Sequence, residues 1–162
     1  MMRRANIWEE PGFYTRGCDM QGFSFFDSDT VTVYNRLLDE DTDVETWIPH
    51  VLEHVELVVT KGANVSKSGM ENADSAKLNI APVQLENYVS PKVWKRMEAE
   101  ERERHFTFTG GEDFFVEGDV SGEPVLPEGF YGYMKSRYDN VFKVTDVDNY
   151  KDVLPHLEVG GR

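Results

Sequence analysis

The chain of 162 residues has one cysteine, Cys18, so it can form no internal disulfide. A lone thiol suits a reducing compartment or a small buried group. Cationic side chains are scarce: 17 Lys and Arg stand against 30 Asp and Glu, a net charge of −13. That balance excludes a protein that grips phosphate backbones, because such affinity comes from Lys and Arg. It disfavours electrostatic binding to anionic membranes for the same reason. No apolar run approaches the ~20 residues that a spanning helix needs. The first ten residues carry Arg3 and Arg4 with no apolar stretch behind them, so no signal peptide is expected.

Core-forming residues are present. Hydrophobic side chains make up 40% of the chain and aromatics 12%, which is incompatible with wholesale disorder. The length suits one domain. Charge is uneven: residues 1–60 sum to −8, residues 61–104 to +1 and residues 105–162 to −6. Residues 1–29 read as an arm, because Pro11, Gly12, Gly17 and Gly22 interrupt any period. The arm carries Trp8, Phe13, Tyr14, Phe23, Phe25 and Phe26. Aromatics anchor interfaces, which makes these six the subunit-docking candidates.

From Thr30 the pattern is that of strands. Residues 30–37 alternate, with Val31, Val33 and Leu37 on one face. The charge-dense turn 39–43 leads into a long strand from Trp47 to Thr60, with Val51, Val55, Leu57 and Val59 in one parity. A third strand is expected at 76–80, stopped by Pro82. Between them Lys61–Ser75 reads as a polar loop, and loops beyond about 12–15 residues are usually functional or disordered. Ser90 and Pro91 open a helix near 91–104, supported by the i,i+4 pairs Glu98–Arg102 and Glu100–Arg104. The last third returns to strands: 105–109, a turn at 110–113, then 114–120, 141–147 and a short closing strand at 157–159, with a helical turn in 130–138. The expected class is mainly β: a small antiparallel barrel or sandwich with one helix, a long inter-strand loop and an irregular arm. The domain spans 30–162.

The motif with most chemistry in it is His50-Val51-Leu52-Glu53-His54, an H-x-x-E-H pattern. In inverted zincins a helix sets both histidines on one face to hold Zn²⁺ while the glutamate polarises water. Here Pro49 and the surrounding valines indicate a strand, which turns Glu53 away from both histidines and leaves them facing solvent. A zinc metalloprotease is therefore a remote alternative. His105 and His156 have no metal spacing, and no P-loop, dinucleotide fingerprint or nucleophile elbow is present. No catalytic residue, metal or cofactor is expected, and the chain reads as a non-enzyme.

Several fragments in order carry a resemblance. They are Thr30–Arg36, Trp47-Ile48-Pro49, Val59 through Gly69-Met70 to Ala73-Asp74, and Ile80-Ala81-Pro82. Phe108–Asp113 with Val116-Glu117-Gly118, Tyr138–Phe142 and the ending Pro155–Arg162 complete the set. Together they resemble small proteins encoded in the head-to-tail region of tailed phages and prophages of Gram-positive bacteria. The resemblance implies a minor virion protein of the neck, made in the host cytoplasm, whose nearest functional analogue is the head-closure or stopper protein. It implies a homo-oligomeric ring of roughly 6 or 12 copies between portal or adaptor and tail proteins. Double-stranded DNA would pass through without specific binding. The loop 61–75 then stands where a channel-lining loop would be, with Lys61, Asn64, Lys67 and Met70 as candidates. Lys61, Lys67 and Lys77 form the one basic cluster near it. An adaptor or tail-completion protein, or a capsid or tail decoration module, are the alternative readings.

Overall fold

The computed structural model describes residues 28–162, the side chains of residues 64, 66, 70, 71 and 72 excepted. Cys18 and the six aromatic docking candidates, Trp8, Phe13, Tyr14, Phe23, Phe25 and Phe26, lie outside the described residues.

Strands β1 (Asp29–Leu38) and β2 (Glu45–Thr60) pair as the antiparallel hairpin that alternation predicts. With β5 (Ser75–Ile80), β6 (Phe114–Glu117), β7 (Val141–Tyr150) and β8 (His156–Gly161) they close a barrel in the order β1-β2-β5-β8-β7-β6. Closure pairs every strand on both sides and leaves the barrel no exposed edge. The interior is filled by Val31, Val33, Leu52, Val55, Leu78, Ile80, Phe115, Phe142, Val144, Leu157 and Val159.

A simple alternation fails on β1, where residues 31 to 35 are all buried. Val31 and Val33 fill the barrel, while the opposite face is covered by a second layer. That layer is the segment 118–138 with helix α3 (Phe130–Arg137), the helical turn expected there extended to two turns. Tyr34 stacks on Phe114 at 4.9 Å and meets Phe130 edge-on at 5.1 Å, and its hydroxyl donates to the Val120 carbonyl at 2.6 Å. Thr32 ties the same segment down by donating to Gly118 O and accepting from Val120 N. A strand buried on both faces needs no polar alternation.

On β2 the expected parity is corrected. A bulge opposite Asp29/Thr30, with His54 at φ 58, switches the inward face from even positions (His50, Leu52) to odd ones (Val55, Leu57, Val59). Val51 therefore points away from the buried set. An extra residue on one strand always inverts the faces beyond it. A second irregularity in β7 between Val144 and Asp146 does the same, bringing Val147 against the core.

Residues 105–109 do not form a strand. Phe106 makes an isolated parallel bridge with Tyr88, and Phe106 and Phe108 join the interior cluster from this loop. The helix expected over 91–104 is two short pieces, α1 (Pro91–Arg96) and α2 (Ala99–Arg102), broken where Met97 is extended at φ −69, ψ 154. Pro91 sits at the first turn as expected, but Ser90 makes no side-chain cap. Arg102 does not serve Glu98. Its guanidinium donates to the Lys95 carbonyl at 3.0 Å and to the Trp94 carbonyl at 3.3 Å, where it joins the Met97 N–H, and it lies over the Trp94 ring. Two charge-assisted bonds to carbonyls outweigh an exposed i,i+4 pair worth only a few tenths of a kcal/mol.

Candidate functional site

The polar stretch 61–75 is not a structureless loop. It contains β3 (Ala63–Ser66) and β4 (Gly69–Asn72), which pair with each other and with no barrel strand. Their register continues that of β2 and β5. Glu56↔Asn79, Thr60↔Ser75, Ala63↔Asn72 and Ser66↔Gly69 are steps on one antiparallel ladder, and Ala73 N donates to Gly62 O between its two parts. Composition concealed this, because Gly, Asn and Ser are poor strand formers. Pairing carried outward from the barrel supplies what propensity lacks. From Thr60 to the Lys67-Ser68 turn the ribbon extends roughly 20 Å at about 3.3 Å per residue.

The base of the ribbon is fastened. Gly62 N donates to Asp74 Oδ1 at 3.0 Å, and Lys61 Nζ reaches Asp74 Oδ2 at 3.4 Å and Asn140 Oδ1 at 2.7 Å. Asn140 in turn donates to Glu117. The three lysines therefore do not form one patch. Lys61 is a clamp at the base, Lys77 is on β5 paired with Glu158 of β8, and Lys67 stands exposed at the turn. The backbones of Asn64 and Met70 lie on β3 and β4, and their side chains are outside those described.

The histidines of the H-x-x-E-H motif are separated. His50 is buried, with its ring 6.3 Å from Phe106, while His54 is exposed at the bulge. The reading of two solvent-facing histidines is corrected by that bulge, which puts the pair on opposite sides of the sheet. Burial and the neighbouring His105 hold the His50 pKa down at about 4, so it is a neutral core side chain at pH 7. Among the described residues no three His, Cys, Asp or Glu side chains are grouped to hold a metal ion.

Asp113 is a buried carboxyl, 1% exposed. Its two oxygens accept from Arg36 N at 2.8 Å and Thr109 N at 2.7 Å, which stitches the turn 109–113 to the end of β1. Burial outweighs these donors and pushes its pKa up to about 6.

A cleft beside α3 was not legible from sequence. Trp47 and Phe130 line it together with Tyr131, Lys143 and the glycines Gly111 and Gly129, in a volume of about 230 Å³. At its edge Arg36 Nε and Nη2 both donate to one oxygen, Glu45 Oε1, at 2.9 and 2.6 Å. Lys143 lies over the Tyr131 ring at 4.7 Å, and the Trp47 indole N–H, in a side chain 5% exposed, has no partner. These residues come from β1, β2, β7, α3 and two loops, and no local spacing links them.

No curated protein and no solved structure matches the chain. The model of DUF6751, a family of unknown function, matches residues 26–162, and the chain belongs to that family.

Proposed function

We propose that the protein is a structural component of a phage neck, assembling as a ring between portal or adaptor and tail, and closing or lining the DNA channel. The observation that carries this reading is the ribbon β3–β4. A closed barrel has no edge through which to add neighbours, yet one of its hairpins runs outward in unbroken register and ends in an exposed turn. A closed barrel with a projecting ribbon suits a ring whose ribbons meet at the axis. Fastening of the ribbon's base by Lys61, Asp74 and Asn140 favours a set direction over a loose loop. The charge agrees with this. At −13 the subunit repels phosphate, so DNA passing through such a ring would meet little that retains it. The resemblance across residues 30–162 points to the same place in the particle.

The test is location. Cryo-electron microscopy of particles carrying a tagged copy should find a ring on the tail axis below the portal. Copies spread over the shell or along the tail would overturn the proposal. Particles lacking the protein should fill with DNA and then lose it.

A further inference from the structure

Helix α3 starts without a cap. Gly129 at its N-cap sits at φ 67, no side chain bonds to the first turn, and no acidic residue lies in it. The first intrahelical bond runs from Tyr133 N to Gly129 O, so the Phe130 N–H precedes the ladder and has no acceptor among the described residues. Phe130 is fully buried, and a buried backbone N–H without a partner is rare. The Trp47 indole N–H is a second buried donor without an acceptor, in a side chain 5% exposed. Burial strips each donor of water and supplies no bond instead. Both residues line the same cleft.

The charge around these donors is positive, on a chain of net −13. Lys143 lines the cleft with its ammonium 4.7 Å from the centre of the Tyr131 ring, and it has no carboxylate at ion-pair distance among the described residues. Lys135 lies over the same ring at 5.6 Å. The two carboxylates of the lining are already matched, Glu45 by Arg36 and Glu112 by Lys95 at 3.0 Å. The partial positive charge of the helix N-terminus adds to the excess. Asp43 and Glu128 line a groove that adjoins the cleft through Arg36, Glu45 and Gly129. They disfavour a dianion or a nucleic-acid strand and leave a single negative charge as the best match. An engineered cavity of roughly 150 Å³ holds benzene, so about 230 Å³ holds a carboxylate on a short stem.

We propose that this cleft binds a carboxylate, whose oxygens accept the Trp47 and Phe130 N–H groups while Lys143 supplies the countercharge. Bonds to a charged acceptor are the stronger class of hydrogen bond, so one anion answers both orphaned donors and the unpaired ammonium together. The carboxylate belongs either to a small organic acid or to an Asp or Glu side chain of another protein, and the chemistry recognised is the same. The site stands apart from the neck reading, since no residue of the β3–β4 ribbon lines it.

NMR titration of the isotope-labelled full chain with sodium acetate, against sodium chloride at equal ionic strength, tests this. In acetate the Trp47 indole and Phe130 amide protons should move downfield together and saturate in the millimolar range; in chloride they should stay in place. Lys143→Met keeps the stem and removes the charge, and should weaken binding by about tenfold or more. Lys151→Met, just beyond the far end of β7, should leave it unchanged. Signals that respond to both salts alike, fail to saturate or move independently of each other overturn the proposal, as does an equal loss from the two lysine variants. Inorganic phosphate at neutral pH should bind more weakly than acetate, and the reverse order overturns the match to a single charge. Propionate and a blocked Gly-Glu-Gly peptide separate the two sources. A peptide that binds as well as propionate assigns the cleft to an acidic side chain of a partner, and binding of propionate alone assigns it to a small acid.

Discussion

Replacing Asp113 by Asn asks whether burial or hydrogen bonding governs the one buried carboxylate among the described residues. Its oxygens accept from Arg36 N and Thr109 N, at 2.8 and 2.7 Å. An amide keeps one acceptor and turns an NH₂ toward the other N–H, leaving a buried donor unsatisfied at a cost of about 1–3 kcal/mol. Against that, Asn never carries the charge that burial penalises. The folded pKa is raised from 3.8 to about 6, so between those values the folded wild type holds a proton that the unfolded chain has released. Stability from this group therefore falls as pH rises through that window and is level above it. The full shift corresponds to roughly 3 kcal/mol, of which about 1.3 kcal/mol lies between pH 5 and 7. Asp113→Asn removes this dependence. Its cost should be largest at pH 5 and smaller by about 1 kcal/mol at pH 7. Urea unfolding followed by tryptophan fluorescence at pH 5, 6 and 7 reads the difference, since Trp47 and Trp94 are both buried. A cost that grows with pH would mean that the two donors stabilise the carboxylate more than burial opposes it, and would refute the reasoning.

His50 titrates in the opposite sense: its folded pKa of about 4 lies below the usual 6.5, so its stability is present above 6.5 and lost as pH falls toward 4. His50→Leu should therefore spare the fold roughly 2 kcal/mol of loss between pH 7 and 5, and a variant as acid-sensitive as wild type in the same urea series would show that His50 is not the cause. Gly161→Ala should destabilise by about 1–3 kcal/mol, because a Cβ there would lie 2.7 Å from Phe115 Cζ and 2.8 Å from Phe142 Cβ; a melting temperature equal to wild type would contradict this. Tyr34→Phe removes the bond to Val120 O and should cost about 1 kcal/mol, with faster amide exchange at 118–123 than in wild type. Lys61→Ala should leave the melting temperature nearly unchanged and speed exchange at Gly62 and Ala73, since Lys61 joins the ribbon's base to Asn140.

The barrel was legible because its strands are rich in β-branched and aromatic residues and are punctuated by Gly, Pro and Asp. Facing was not, wherever a bulge intervened. Val51 shares a sequence parity with Val55, yet the extra residue at His54 puts them on opposite faces, and the same displacement separates His50 from His54. A bulge is a property of two strands in register, and one strand's sequence does not contain it. The ribbon was missed for a related reason. Residues 61–74 have loop composition, and what makes them strands is the ladder handed on from Thr60↔Ser75. Position between the second and third strands marked the segment as worth attention, while composition misjudged its state. The cleft beside α3 lies further from sequence still. Trp47, Tyr131 and Lys143 come from three elements and meet because β1 is covered on both faces.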